Sequence, residues 1–260
     1  GRTLIMIFEK PSTRTRISFD VGMKKIGGEV IFINKKEIGF GIRESEADII
    51  KTLSQYIDCL VIRNNNHKKI KSIAELNYLP VINGLSNFSH PCQILSDIFT
   101  IEEIIGAIDK QNICWIGDIN NVLMSLMQIS KIFKFKLNIA CPSSILLENK
   151  SIVNNYNSNL IKFYNNPIKA IKNSNCVMTD VWHSVGQKNS SDKIKLFRDF
   201  QVNENLMKYC NKKAIFMHCL PANRNKEVST SVIDGKNSVV WQQAKNRMYV
   251  QQSILYYCIK

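Results

Sequence analysis

Short apolar runs recur along the chain and alternate with longer stretches that suit helices. Several of these runs are continuously apolar, as expected for strands buried on both faces of a parallel sheet. The runs that predict strands are LIMIF (4–8), EVIFIN (29–34), CLVIR (59–63), PVING (80–84), NICWIG (112–117), KLNIA (136–140), NCVMTD (175–180), AIFMHC (214–219) and SVVW (238–241). Such alternation predicts an α/β fold with mostly parallel β-sheets flanked by helices.

The predicted elements fall into two sets. Residues 94–108 form an apolar stretch that predicts a helix ending near Gly106, and a strand follows soon afterwards. A boundary between residues 109 and 110 gives two sets with similar numbers of strands, so we predict two domains, 1–109 and 110–241. Residues 242–260 predict a C-terminal helix.

A polar segment separates the first predicted strand from the first helix. In FEKPSTRTRISF (8–19), the apolar positions from Ile17 onward allow an amphipathic helix, which Ser12 or Thr13 could cap. Free N–H groups at a helix start favour an anion, and the Arg14 guanidinium would match a phosphate or carboxylate. An ordinary cap with two solvent-exposed arginines explains the same residues, so both interpretations stay open from spacing alone.

Polar residues also follow five predicted strands at their carboxyl ends, where open α/β sheets bind ligands. They are Arg63, NGLSNFSHPCQ (83–93), DINN (118–121), Asp180 and HCLP (218–221). One such cluster is explained by a turn or a cap, but five together indicate a site. The absence of G-x-G-x-x-G and G-x-S-x-G motifs argues against a dinucleotide-binding protein and an α/β-hydrolase.

The 260 residues are 45% hydrophobic and 22% charged, as in soluble globular proteins. No apolar run approaches the roughly 18 residues that span a bilayer, and no signal segment is present, so we predict no membrane association. The chain starts at Gly1, directly before a strand, which suggests that an N-terminal segment is missing.

The eight cysteines form no C-x-x-C pair, and several lie inside apolar runs. This pattern predicts buried, reduced thiols in a cytoplasmic protein rather than disulfides. His90 is close to Cys92, and His218 is next to Cys219, but neither spacing matches a zinc finger or ribbon. We therefore predict no metal site.

The formal net charge of +14 raises the possibility of nucleic-acid binding. The lysines, however, are scattered in pairs and short groups, and no aromatic-interleaved RNA motif is present. A bias toward Asn, Ile and Lys needs no functional cause, and a basic field also suits a small anionic substrate. We predict that the partners are small molecules and not nucleic acid.

Taken together, the motifs resemble those of the carbamoyltransferase family, and most closely its ornithine-specific branch. The matching segments are FEKPSTRTR (8–16), SHPCQ (89–93), GDINNV (117–122), TDVWHSVGQ (179–187), FMHCLPA (216–222) and VVWQQAKNRMYVQQSIL (239–255). The resemblance covers almost the whole chain in the right order. It implies that residues 1–109 bind carbamoyl phosphate, that 110–241 bind ornithine, and that 242–260 pack back on the first domain.

The resemblance also implies roles for individual residues. Thr15, Arg63 and His90 would point at the carbamoyl oxygen, where negative charge grows during attack. The residues implied to bind carbamoyl phosphate are Ser12, Thr13, Arg14, Thr15, Arg63, His90, Gln93, Leu220 (through its carbonyl) and Arg247. Those implied to bind ornithine are Asn121, Asp180, Ser184, Val185 and Cys219, with Arg63, His90, Asp180 and Cys219 as the catalytic set.

The implied reaction is attack of the neutral ornithine δ-amine on carbamoyl phosphate, through a tetrahedral intermediate, to give citrulline and phosphate. It needs positioning and electrostatics but no metal or organic cofactor. The resemblance further implies arginine metabolism and a homotrimer with shared active sites.

The chain departs from the family pattern in its loops. Val185 replaces a methionine in the ornithine loop, and Glu37 replaces a glutamine in a loop that reaches a neighbouring subunit, where Arg43 would have to offset its charge. Rival interpretations are a putrescine or other amine carbamoyltransferase and an aspartate carbamoyltransferase, although HCLP argues against the latter. A non-catalytic basic binding protein on this scaffold is the remaining alternative.

Overall fold

The computed structural model describes residues 1–34, 44–182 and 191–259. Its contacts divide the chain into two compact units. Unit 1 consists of residues 1–96 and 245–260, and unit 2 of residues 97–244. The domain boundaries inferred from the sequence, after residues 109 and 241, stay a prediction. No described helix has the combination of length and hydropathy that crossing a membrane requires.

Unit 1 is built on a four-stranded parallel sheet in the order β2-β1-β3-β4. The strands are β1 (Thr3–Phe8), β2 (Glu29–Asn34), β3 (Cys59–Arg63) and β4 (Val81–Leu85). The helices are α1 (Thr13–Lys25), α2 (Glu46–Leu53), α3 (His67–Glu75) and the start of α4 (Pro91–Ile105). Alternate residues of β1 enter two different cores, so helices cover both faces of the sheet.

Unit 2 contains a five-stranded parallel sheet in the order β7-β6-β5-β8-β9. The strands are β5 (Asn112–Ile116), β6 (Lys136–Ala140), β7 (Ile161–Tyr164), β8 (Cys176–Thr179) and β9 (Ile215–His218). The helices that follow α4 are α5 (Asn121–Phe133), α6 (Ser143–Glu148), α7 (Lys150–Tyr156), α8 (Pro167–Ile171), α9 (Ser191–Phe197), α10 (Glu204–Met207), α11 (Thr230–Ile233) and α12 (Val240–Ile259), which ends in unit 1.

In each sheet the strand order reverses direction once. The reversal lies between β1 and β3 in unit 1 and between β5 and β8 in unit 2. Loops leave such a point in opposite directions and open a crevice at the carboxyl ends of the strands. This topology places Arg63 beside the segment after β1, and Asp180 beside the segment after β5.

The parallel α/β fold predicted from the apolar pattern is confirmed, and most predicted strands are present within a residue or two. The strand predicted at SVVW (238–241) is wrong. Ser238 makes only an isolated bridge to Phe216, and the chain enters α12 at Val240. Edge strand β7 was missed because Lys162 interrupts its short apolar run. Helix α4 ends at Ile105, before Gly106 with φ +89°, as predicted.

Candidate active site

Two guanidinium groups in unit 1 converge on one buried hydroxyl. Arg63 Nη1, at the end of β3, lies 3.3 Å from Thr15 Oγ1, and Arg247 Nη2 donates to the same oxygen at 2.6 Å. Arg63 Nη1 also donates to Ser12 Oγ at 2.8 Å, and Arg247 Nη1 donates to Gln93 Oε1 at 2.9 Å. We call these five residues the cation cluster. It joins the start of α1, the end of β3, α4 and α12.

The electrostatics of the cation cluster favour an anionic ligand. The pKa of the Arg63 guanidinium is lowered to about 10, first by burial and then by Arg247 and Arg14, so it stays charged at neutral pH. Its Nε atom is buried and has no hydrogen-bond partner among the described residues. Each of these influences opposes the charge of Arg63, and an anion bound beside it would reverse the balance.

The beginning of α1 keeps its backbone donors available. Ser12 occupies the N-cap position with φ −153°, but its side chain makes no capping hydrogen bond, because the hydroxyl contacts Arg63 and Thr15 instead. Thr13, Arg14 and Arg16 are all exposed, and the Arg16 guanidinium lies over the Phe32 ring at 4.0 Å. Because Ser12 makes no side-chain cap, the prediction of an ordinary cap is wrong for this residue.

His90 is buried immediately before α4. Its pKa lies well below the ordinary value because of burial and then the positive charges of Arg247 and Arg63. The loop that carries it is fixed by a hydrogen bond from Asn83 Nδ2 to Ser89 Oγ at 2.8 Å. The imidazole is therefore neutral at physiological pH and can polarise a ligand without adding a charge.

In unit 2 a buried carboxylate follows β8. Asp180 Oδ1 accepts hydrogen bonds from the Val181 N–H at 2.8 Å and from the Cys219 thiol at 3.2 Å. Oδ2 accepts from Asn120 Nδ2 at 2.7 Å, while Asn120 Oδ1 caps α5 by accepting two backbone N–H groups. Burial raises the pKa of the Asp180 carboxyl, and the hydrogen bonds act in the opposite direction.

The segment between β5 and α5 is anchored to α9. Asp118 Oδ2 forms an ion pair with Lys193 Nζ at 2.5 Å, and its carbonyl accepts a hydrogen bond from Trp115 Nε1 at 3.1 Å. The preceding Gly117 has φ +152°, which favours glycine. These contacts fix the backbone that leads into Asn121, the first residue of α5 and a predicted ornithine ligand.

The turn after β9 brings Cys219 to Asp180. Ligand atoms of Asp180, His218 and Cys219 lie within 4.8 Å of one another, a spacing that suits a metal ion. His218 Nδ1, however, accepts the Leu220 N–H at 2.9 Å, so the imidazole would have to give up that bond to bind an ion through this nitrogen. The expectation that no metal is bound stays a prediction.

Some predicted residues lie outside the described part of the chain. They are Ser184 and Val185 of the ornithine loop, together with Glu37 and Arg43. Sequence reasoning did not assign roles to three further residues. In the fold, Asn120 contacts Asp180, Lys193 contacts Asp118, and Glu227 contacts His218. Asn120 precedes an apolar helix and carried a capping signal, whereas the other two residues carried none.

Comparison with known proteins decides the family. Residues 1–103 match the carbamoyl-P binding domain, and residues 109–258 the Asp/Orn binding domain, of the aspartate/ornithine carbamoyltransferase models. The chain belongs to the aspartate/ornithine carbamoyltransferase family.

Individual members of this carbamoyltransferase family match over the full chain. The ornithine carbamoyltransferase of Mesorhizobium japonicum is 43% identical over 260 residues, which are 100% of this chain and 86% of that protein. That of Rhodopseudomonas palustris is 44% identical over 261 residues, with 100% and 84% coverage. The solved structure of the ornithine carbamoyltransferase from Pyrococcus furiosus superposes on this chain with a TM-score of 0.91 and is 40% identical in sequence. The match covers 100% of this chain and 85% of that protein's chain.

We predict that Asp180→Asn lowers the stability of this carbamoyltransferase family member by about 1–3 kcal/mol, because its new amide would face the Asn120 amide with two donors and no acceptor. The double variant Asn120→Asp/Asp180→Asn restores a donor facing an acceptor and keeps a good cap, so it should recover most of the loss. Urea unfolding followed by tryptophan fluorescence tests this, and a single variant as stable as the wild type would contradict it.

The neutral state of His90 predicts a pH dependence of stability. Below about pH 6.5 the unfolded chain binds a proton at His90 that the folded chain does not. The contribution of His90 to the free energy of unfolding is therefore complete above that pH and decreases as the pH falls below it. We expect His90→Gln to remove up to about 1.4 kcal/mol per pH unit from the slope of stability between pH 6.5 and 5.5. Urea unfolding followed by circular dichroism measures this, and identical slopes would argue against it.

Proposed function

We propose that this protein is an ornithine carbamoyltransferase, which transfers the carbamoyl group of carbamoyl phosphate to the δ-amine of L-ornithine and releases L-citrulline and phosphate. The observation that carries the proposal is the cation cluster, in which the partly buried Arg63 and the buried Arg247 share the Thr15 hydroxyl at a helix start without a side-chain cap. A phosphate dianion would offset the repulsion between them.

The proposed donor site divides into two parts. Ser12, Thr13, Arg14 and Thr15 bind the phosphate through side chains and helix N–H groups, with charge from Arg63 and Arg247. Thr15, Arg63 and neutral His90 polarise the carbamoyl oxygen, and Gln93 and the Leu220 carbonyl orient the carbamoyl amine. Four of these residues are buried, which supports this assignment, because hydrogen bonds and charges interact more strongly with a ligand in a site without water than in solution. They are Thr15, His90, Gln93 and Arg247.

The proposed acceptor site takes a cationic amino acid. Asp180 and Cys219 face its side-chain amine, while Asn121, Ser184 and Val185 bind its α-amino and α-carboxylate end. A carboxylate with two acceptor oxygens and three local donors is held in one orientation, which supports a positioning role for Asp180.

In the proposed reaction the neutral amine attacks the carbamoyl carbon, a tetrahedral intermediate forms, and phosphate leaves. Arg63 and His90 stabilise the oxyanion, and the phosphate ligands stabilise the leaving group. Since an ornithine amine has a lysine-like pKa near 10.4, the rate should increase with pH until the bound amine is deprotonated.

We further propose that the protein self-associates as a homotrimer with shared active sites, as the family resemblance implies. We also propose a cytoplasmic location and a role in arginine metabolism.

The amine substrate is tested by a citrulline-type assay that offers ornithine, putrescine and aspartate in parallel. Aspartate would place a carboxylate near Asp180, and putrescine leaves the groups that bind the α-carboxylate unpaired. We expect kcat/KM for ornithine to exceed that for putrescine by at least about tenfold, equivalent to about 1.4 kcal/mol, with no reaction of aspartate. Equal or reversed preference would contradict the proposal.

Arg14→Ala tests the donor site, with Arg16→Ala as a matched control two residues away. Loss of a charge-assisted hydrogen bond of about 1.5–3 kcal/mol should weaken carbamoyl-phosphate binding at least about tenfold. Arg16 packs on Phe32, so its truncation should leave binding within about threefold of the wild type. Calorimetry that finds similar affinities for the two variants would refute the role of Arg14.

A further inference from the structure

A buried pair of side chains lies behind the turn that carries Cys219 and Leu220. His218 and Glu227 are each 1% exposed, and His218 Nε2 lies 3.3 Å from Glu227 Oε1, although the two atoms are not aligned as a hydrogen bond. Neither residue contacts substrate in the proposed mechanism. Burial of an acidic side chain is costly unless it is paired, so the pair needs a structural or functional reason.

The imidazole of His218 holds the turn from one side. Its Nδ1 accepts the Leu220 N–H at 2.9 Å. A nitrogen that accepts carries no proton, so the neutral imidazole must carry its proton on Nε2, the atom that faces Glu227. The backbone N–H of His218 donates to Gln243 Oε1 at 3.0 Å, and Gln243 in turn donates to Asp97 Oδ1 at 2.8 Å. The imidazole is thereby fixed in position and in tautomer.

Glu227 holds the turn at its other end. Its Oε1, the atom that faces His218, also accepts the Asn223 N–H at 2.5 Å. Its backbone carbonyl accepts the Val202 N–H at 2.9 Å, so the residue does not shift independently. One carboxylate oxygen therefore contacts groups from both ends of residues 218–223.

Leu220 is the residue that this arrangement constrains. It has φ +55°, in the left-handed region that non-glycine residues rarely adopt. Such a conformation persists where surrounding contacts determine it, and it is often found at ligand sites. Cys219 is held on the Asp180 side by its thiol, and Leu220 on the other side by His218.

We propose that Glu227 and His218 are positioning residues, which hold the Leu220 backbone in the conformation that binds the carbamoyl group. This inference rests on the proposed function, because it takes the Leu220 carbonyl as a ligand of carbamoyl phosphate. The Glu227 carboxylate beside Nε2 favours the same tautomer that the Leu220 N–H requires, and the bond to Nδ1 holds the Cys219–Leu220 peptide plane. Holding this plane helps to keep Leu220 at its positive φ and so restricts where its carbonyl points.

Two substitutions of His218 separate this role from simple packing. In His218→Asn the side-chain oxygen can replace Nδ1 and still accept the Leu220 N–H. In His218→Gln the longer amide can reach Glu227 as Nε2 did, but it leaves the Leu220 N–H without its acceptor. We expect kcat/KM for carbamoyl phosphate to fall at least about tenfold in His218→Gln and no more than about threefold in His218→Asn.

Binding of inorganic phosphate provides the internal control. The proposed phosphate ligands are residues of unit 1 and do not include Leu220, so phosphate affinity in calorimetry should stay within about twofold of the wild type in both variants. Parallel loss of phosphate affinity, equal losses in the two variants, or full activity of His218→Gln would each overturn the inference.

If His218→Gln fails to fold, Glu227→Gln on the intact chain tests the same point. In nitrogen NMR the wild-type His218 should show an unprotonated Nδ1 and a protonated Nε2, and loss of the carboxylate charge should populate the other tautomer and lower kcat/KM. An unchanged tautomer with unchanged kcat/KM would overturn the inference. Wild-type protein that makes no citrulline would instead refute the proposed function, whereas the tautomer measurement needs no turnover.

Discussion

Positive charge concentrated around one uncharged hydroxyl is the constraint on which unit 1 depends. Thr15 Oγ1 contacts both Arg63 and Arg247, and these guanidiniums are kept close although each opposes the charge of the other. Hydrogen bonds to Ser12 and Gln93 offset part of that repulsion in the folded chain. The start of α1, the end of β3 and the direction of α12 are all required to keep these groups together.

Unit 2 holds a negative charge, rather than positive charges, at the corresponding point of its own sheet. Where unit 1 collects cations beside the strand-order reversal of β1 and β3, unit 2 buries the Asp180 carboxylate beside the reversal of β5 and β8. Local donors from Asn120, Val181 and Cys219 keep the carboxylate in place. The same topology thus collects guanidinium groups in one unit and holds a carboxylate in the other, which agrees with the proposed reaction between an acyl phosphate and an amine.

The apolar pattern predicted where polar residues directly follow strands. Arg63, Asp180 and Cys219 sit at or just after strand ends, so apolar runs were enough to find them. The sequence could not predict the roles of Lys193 and Glu227, because lysine and glutamate in polar segments normally face solvent and only the fold shows their partners. Asp118 and Lys193 are 75 residues apart, and no local pattern encodes that contact. The strand predicted at SVVW was wrong because β-branched residues, which favour strands, begin a helix here. Packing in the fold, not the local sequence, decides between the two.

The indole of Trp115 has a consequence for spectroscopy. It donates to the Asp118 carbonyl directly before the residues that lead into α5, so changes in this backbone should alter its emission. Trp115, Trp182 and Trp241 are the three tryptophans of the chain, and all of them belong to unit 2. Intrinsic tryptophan fluorescence therefore reports on unit 2, and unit 1 gives no tryptophan signal of its own unless a fluorophore is introduced there.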